Sequence, residues 1–228
     1  MAGKYTSLSP YSYCAGNPVN MVDLDGNMII PWPIQYMAYA ASLEKSNNPR
    51  HKSLGYSMQN PVIALKVGRY SSWMRNISTV SVNYSVNIAR TAGLTLEPEG
   101  SHSNALRHTI WQALITKDFG VDQAIRIGMA HESNIKVYKT SGFETKGSAD
   151  NVADLLNNEI GRQIGKGFQG SNYELILSIL DQFRDKGLWV VQELDDGTYT
   201  VKLETISSEQ YDKGMIELNK LNKYGKEQ

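Results

Sequence analysis

From residue 103 onward, apolar positions recur at the spacing of helix faces. Leu106, Ile110, Ala113 and Leu114 share one face and predict a helix over 103–118. A second helix is expected over 121–134, set off by Gly120, and a third over 148–166, starting at Ser148 and ending among Gly165 and Gly167. A fourth spans 172–186 and stops at Gly187. Residues 188–203 alternate apolar and polar and turn at Asp196-Gly197, a hairpin signal. Residues 207–224 read as a last amphipathic helix. Upstream the pattern is weaker. Residues 61–69 open on Pro61, which suits a helix's first turn. Residues 77–92 predict a helix despite their β-branched content, and 96–104 a loop supplying polar caps. Residues 28–60 read as a polar linker with an apolar knot around Trp32 and Tyr36 and room for a short helix. Residues 5–27, dense in Tyr, Pro, Gly and Asn, read as strand and turn pieces. The expected fold is mainly α: a bundle-like helical domain with one C-terminal β-hairpin and an irregular N-terminal extension.

Polar residues interrupt these faces in a pattern. Asn104, His108 and Gln112 stand i, i+4 and i+8, forming a stripe beside the apolar face, with Arg107 adjacent and Trp111 at the border. In the 121–134 helix Ile127 and Ala130 read as core. His131 and Glu132 fall near its C-terminal end, where a protonated imidazole gains from the helix dipole. In the 148–166 helix Val152, Leu155, Leu156, Ile160 and Ile164 cover one arc. Asp150, Asp154, Asn157, Asn158, Gly161 and Gly165 cover the opposite one. A solvent arc is normally filled with Lys, Glu and Gln; Asp, Asn and Gly are poorer helix formers, so something other than propensity selects them. Short carboxylates and amides suit a fixed site, and glycines let another element or a ligand approach.

If the three helices bundle, His108, His131, Glu132, Asp150 and Asp154 can converge, as imidazole and carboxylate ligands do in metal-holding bundles. Zn²⁺, Mn²⁺ or Mg²⁺ there would generate a water nucleophile at neutral pH. Arg107 or Arg162 would stabilise charge on a phosphoryl or carboxyl oxygen. The metal-free alternative makes His131 or His108 a general base oriented by Glu132 or Asp154. Asn104, Trp111, Asn157 and Asn158 are expected to bind substrate or support the site. The bland alternative is an interhelical clamp, with Arg107 paired to Glu132 or Asp154. Ala130-His131-Glu132 lacks the second histidine of His-Glu-x-x-His metalloproteases. The order His, His-acid, Asp is similar to that of HD-type phosphohydrolases, with Glu132 in place of their Asp.

Composition narrows the partners. With 228 residues and 41% hydrophobic content, the chain can build one sizeable core or one domain plus an extension. Lys plus Arg and Asp plus Glu both number 23, so no net field favours nucleic acid or anionic membrane. The charge is uneven, however: residues 1–95 hold 8 basic and 3 acidic residues, and residues 96–228 hold 15 and 20. The acidic second half weighs against a surface built mainly to grip phosphate backbones. Cys14 is the only cysteine, which excludes an internal disulfide and a thiolate zinc finger. Apolar stretches such as Met28–Ala41 are short and broken by proline, so no membrane span is expected. The polar N-terminus shows no secretory signal, so export is expected to depend on another system.

Two resemblances organise these observations. Ser9-Pro10-Tyr11, Asn17-Pro18-Val19-Asn20 and Asp23-Leu24-Asp25-Gly26 follow one another as in the end of the Rhs (YD-repeat) associated core, with Leu24 replacing the usual proline. That resemblance implies a β-shell upstream and a toxin cargo after it. It also implies delivery without a signal peptide by a contact-dependent (type VI) secretion apparatus into a target bacterium, cytoplasm or periplasm, and a cognate immunity protein. Some members of that family self-cleave with acidic residues at the positions of Asp23 and Asp25; here the two read as turn formers. Separately, residues 97–167 resemble an uncharacterised bacterial domain whose motifs fall on Asn104, Arg107, His108, Trp111, His131, Glu132, Asp154, Asn157, Asn158 and Arg162. Such domains occur as tails of Rhs proteins. The expected organisation is 1–27, end of the Rhs core; 28–95, linker and N-terminal helices; 96–228, toxin domain. The expected activity is a metal-assisted hydrolase of the phosphoesterase type acting on envelope or lipid-linked substrates. The alternatives are a nuclease toxin and a non-enzymatic membrane-active toxin.

Overall fold

A computed structural model of the chain describes residues 21–22, 30–131 and 139–228. The Rhs-like motif residues before Met21 and from Asp23 to Gly26 lie outside the described residues, as does Glu132. The chain forms two compact units, Met1–Pro61 and Val62–Gln228.

In the first unit, β1 (Met21–Val22) pairs antiparallel with β2 (Ile30–Pro31). Two helices follow, α1 (Trp32–Glu44) and α2 (Pro49–Gln59), packed on each other. The stretch expected as a linker is therefore largely helical. The Asn and Pro that suggested a linker form a helix start: Asn48 accepts from the Arg50 N–H at 2.9 Å, and Pro49 takes the first helical position. His51, expected in a loop, lies in α2 and sits 3.4 Å from the Ser46 hydroxyl.

In the second unit, α3 (Pro61–Val67) leads through a loop to α4 (Ile77–Thr91), which Asn76 caps by accepting from Thr79 N–H. α5 (His102–Phe119) is the central helix, capped by Ser101, with 13 of its 18 residues buried. It packs against α4, α6 (Val121–His131), α7 (Lys146–Gly165), α8 (Asn172–Asp185) and a hairpin strand. A Ser171–Glu174 capping box starts α8. The hairpin is β3 (Leu188–Glu193) with β4 (Tyr199–Glu204), in register from Leu188↔Glu204 to Glu193↔Tyr199. It closes at Asp196-Gly197, where the Asp196 carboxylate accepts from Thr198. The mainly α architecture with one C-terminal hairpin is as the periodicity predicts.

Two expectations change. The last helix, α9 (Ser208–Leu218), stops well before residue 224. Beyond it the chain folds back on α4: Tyr84 OH donates to the Asn222 carbonyl, and the Asn83 and Asn87 amides donate to Tyr224 and Gly225 carbonyls. Helix α7 faces the other way round from an ordinary amphipathic helix. Leu155, Leu156, Ile160 and Ile164 are only half-buried, whereas Asp154, Asn157, Asn158, Gly161 and Gly165 are buried. Its remaining apolar residues, Ala149, Val152 and Ala153, join Phe143 and Val201 in a core under the hairpin. Among the described residues no helix is long and apolar enough to cross a membrane.

Candidate functional site

The buried polar arc of α7 meets the polar stripe of α5, and four of the junctions join residues fifty apart. The Gly100 N–H donates to Asp150 Oδ1 at 2.5 Å, and Asn104 Nδ2 to Asp154 Oδ1 at 2.9 Å. His108 Nδ1 faces Asn158 Oδ1 at 3.3 Å, and Arg162 Nη1 donates to Gln112 Oε1 at 3.3 Å. A constant separation means that α5 and α7 run parallel, with matched four-residue steps placing one rung per turn. Glycines allow the close contact. A Cβ built on Gly161 would lie 2.3 Å from the Thr109 carbonyl oxygen, and one on Gly165 2.4 Å from that of Ala113. The glycines of the polar arc thus admit a neighbouring helix.

Three rungs are cross-linked into one network. Asn104 Nδ2 also donates to Asp150 Oδ1 at 2.8 Å, tying the two carboxyl groups together. The Asn104 Oδ1 accepts from Arg107 Nη2. That same guanidinium nitrogen lies 3.1 Å from His108 Nε2, and Asp154 Oδ2 lies 3.2 Å from it. His108 and Asp154 are 5% and 6% exposed. The His108 ring meets the Trp111 ring edge-on at 6.4 Å, and Trp111 Nε1 donates to Ser78 Oγ at 3.1 Å, fixing that wall to α4.

The two faces of His108 Nε2 define its chemistry. Without a proton it accepts from Arg107; with one it donates to Asp154. The tautomer with Nδ1–H donating to Asn158 leaves the Nε2 lone pair to Arg107; once Nε2 is protonated, its N–H and that of Arg107 are two donors 3.1 Å apart, and the guanidinium must turn away. Asn158 Nδ2, fully buried beside this ring, has no hydrogen-bond partner among the described residues. Burial raises the carboxyl pKa of Asp150, and Glu99 adds to the effect; the Gly100 N–H, Arg107 and Asn104 oppose it.

The structure brings Asn104, Arg107, His108, Asp150, Asp154 and Asn158 together. Arg162 lies one turn further along, holding Glu159 at 2.7 Å as well as Gln112. Asn157 does not face the network. Its amide donates to the Trp189 carbonyl at 2.8 Å and accepts from the Trp189 N–H at 2.9 Å, pinning β3 to α7. His131 is the last residue of α6; its side chain, like Glu132, lies outside the described residues. A Cβ on Gly128 of α6 would meet Gln112 Nε2 at 2.9 Å, so that helix crosses the Gln112–Arg162 rung. Among the described residues no three His, Cys, Asp or Glu side chains gather closely enough to hold a metal ion. His102, at the start of α5, bonds Thr95 and lies 3.6 Å from Glu204, outside the network. Burial lowers its pKa, against the opposing pull of Glu204.

Two participants escape sequence reasoning. Gly100 contributes a backbone N–H, and its φ of 70° and the 2.6 Å from its would-be Cβ to Val191 require glycine. Ser78 contributes the hydroxyl that holds Trp111. A lone Gly-Ser pair in a loop and a serine in a helix carry no local signal of either role.

Neither a curated protein nor a solved structure matches the chain. A family model described as "Domain of unknown function (DUF6973)" matches residues 72–187, just over half of the 228-residue sequence. That span runs from α4 through α8 and contains every rung of the ladder, and on this match the chain belongs to the DUF6973 family.

Proposed function

We propose that this domain is a hydrolytic effector, the toxin cargo of an Rhs-type protein, that cleaves a phosphoester by proton transfer through His108. One observation carries the reading: the His108 imidazole lies between a guanidinium at 3.1 Å and a carboxylate at 3.2 Å, in a buried, fully cross-linked frame. A buried proton acceptor held by a carboxylate, with a cation alongside, has the parts of general-base hydrolysis. His108 takes the proton of a water as its oxygen attacks phosphorus, Asp154 holds the resulting imidazolium, Arg107 receives the phosphoryl oxygen, and as the ester P–O bond breaks the departing alkoxide takes the proton back from His108. Asn158 Nδ2 is a further donor for that oxygen, which accounts for a buried amide N–H left without a protein acceptor. Asn104 keeps Asp150 and Asp154 at fixed positions. The toxin assignment rests on the likeness of Ser9–Gly26 to the end of the Rhs core. Delivery by a secretion apparatus and neutralisation by an immunity protein come with it. The acidic second half of the chain favours envelope or lipid-linked phosphoesters over nucleic acid as the substrate class.

A metal-assisted form of this chemistry would use His131 and Glu132 with His108 and Asp154, and would require Arg107 to leave His108 Nε2. The metal-free form also needs Arg107 to turn from His108 Nε2, because that lone pair takes the proton of the water, and chelation separates the two.

The test is growth of bacteria expressing the full chain, cytoplasmic or periplasm-directed, beside His108→Gln and Asp154→Asn chains. In parallel, hydrolysis of bis(p-nitrophenyl) phosphate is followed with and without EDTA. Loss of general-base catalysis costs about 100-fold or more in rate, so both folded variants should stop killing. Equal killing by variants with wild-type circular dichroism would make the network a structural clamp and refute the enzyme reading. Rates abolished by EDTA would replace the metal-free form with the metal-assisted one.

A further inference from the structure

The loop between α3 and α4 holds apolar side chains in water by construction. Trp73 is 92% exposed, Tyr70 57% and Met74 48%. Such exposure at a floppy tip would mean little, but this loop is nailed to α4. Asn76 Nδ2 donates to the Arg69 carbonyl at 2.9 Å, and Ser78 Oγ to the Gly68 carbonyl at 2.8 Å. Thr79 Oγ1 bonds both the N–H and the carbonyl of Ser71 at 3.1 Å, and Met74 N–H closes a turn onto Ser71. The C-terminal segment braces the same loop: Lys226 Nζ donates to the Ser72 carbonyl at 3.0 Å, and Arg75 stacks over the Tyr224 ring at 4.8 Å. An exposed tryptophan on a fixed tip is costly in water and marks a contact surface.

The charge around the tip says what it contacts. From Val62 to Leu96 the sequence contains four Lys or Arg and no Asp or Glu, in a chain whose totals balance. Arg69 and Arg75 lie in the loop, exposed, and exposed Lys223 and Lys226 come in from the C-terminal segment. Trp and Tyr beside a cluster of cations is the composition that settles at the headgroup level of an anionic bilayer.

We propose that this tip docks the domain onto an anionic lipid bilayer, Trp73 and Met74 entering the headgroup boundary while Arg69, Arg75, Lys223 and Lys226 meet lipid phosphates. The contact is peripheral. It does not depend on the reaction assigned to His108, because it is read by binding alone.

The full chain is sedimented with vesicles of equal parts phosphatidylglycerol and phosphatidylcholine, and separately with pure phosphatidylcholine. The chain should sediment with the anionic vesicles only, and less so as salt rises. Trp73→Ala should weaken binding roughly tenfold or more. Arg69→Gln and Lys223→Gln should each weaken it roughly fivefold. None of the three removes a bond that anchors the loop, and matching thermal melts verify this. Equal binding to both vesicle types, no binding, or an undiminished Trp73→Ala chain overturns the proposal. So does a dimer in sedimentation equilibrium that Trp73→Ala splits, which would assign the tip to a second copy.

Discussion

Replacing Gly161 with alanine puts a methyl carbon 2.3 Å from the Thr109 carbonyl oxygen, 3.0 Å from Gln112 Cβ and 3.1 Å from Ala113 N. Two of those three atoms are backbone of α5, so no side chain can swing away. A carbon needs about 3.3 Å from a carbonyl oxygen, so α5 and α7 must part by about 1 Å. Overpacking of this kind costs about 3 kcal/mol, and alanine returns about 1 kcal/mol in helix propensity. The net loss of about 2 kcal/mol should lower the melting temperature by about 4–8 °C for a chain of this size. The same separation would stretch the 2.9 Å Asn104–Asp154 and 3.2 Å His108–Asp154 contacts out of bonding range. Gly147, on the first turn of α7, is the control. Its would-be Cβ has only Glu99 Oε2 near, at 4.0 Å, and Gly147→Ala should stabilise by up to about 1 kcal/mol. Urea unfolding at pH 7 reads both, and the His108 imidazole NMR signals read the site. If Gly161→Ala stabilises as Gly147→Ala does, the backbone-to-backbone packing of α5 on α7 is wrong, and the ladder with it.

Other perturbations separate site from scaffold. Asn157→Ala strands the Trp189 N–H and carbonyl and should cost about 3 kcal/mol in urea unfolding, while the remaining folded protein keeps its activity; lost activity in a stable Asn157→Ala chain would put Asn157 in the site. Burial raises the pKa of Asp150, so the folded state holds its proton more tightly than the unfolded state does. The stability it contributes is present below 3.8, the unfolded value, and is lost as pH rises through the folded value. Asp150→Asn should flatten that slope in unfolding measurements across acidic pH, and an unchanged slope would assign it to another group. Ser171→Ala removes the cap and half of the capping box of α8 and should cost about 1 kcal/mol, read as a shift of the urea midpoint.

How far the sequence was legible depends on whether local rules and tertiary contacts agreed. The hairpin and the helices from residue 103 onward follow from period and turn residues, which act within a few residues. The linker reading of 28–60 failed because Asn48-Pro49, a helix start, has the same composition as a loop. The last helix ends at Leu218 although its apolar spacing continues beyond, because the segment after it is held by α4 through contacts remote in sequence. The α7 polar arc was legible as a site because Asp, Asn and Gly are poor choices for a solvated helix face. Its burial was not, since nothing local says that a polar arc faces inward. Asn157 shows the limit best: it sits next to Asn158 in the motif, yet one residue of helical rotation turns it to the hairpin.

The fifty-residue spacing has a kinetic consequence. Each rung joins groups fifty residues apart, so the first to form must close a loop whose entropy costs about 3 kcal/mol. Because the helices are parallel and the spacing is constant, each later rung lies only four residues along each helix from one already shut. The site therefore depends on contacts of long sequence separation, which slow folding. The network needs α5 and α7 side by side, so a chain threaded unfolded through a narrow passage would carry no assembled network until the two helices had met on the far side.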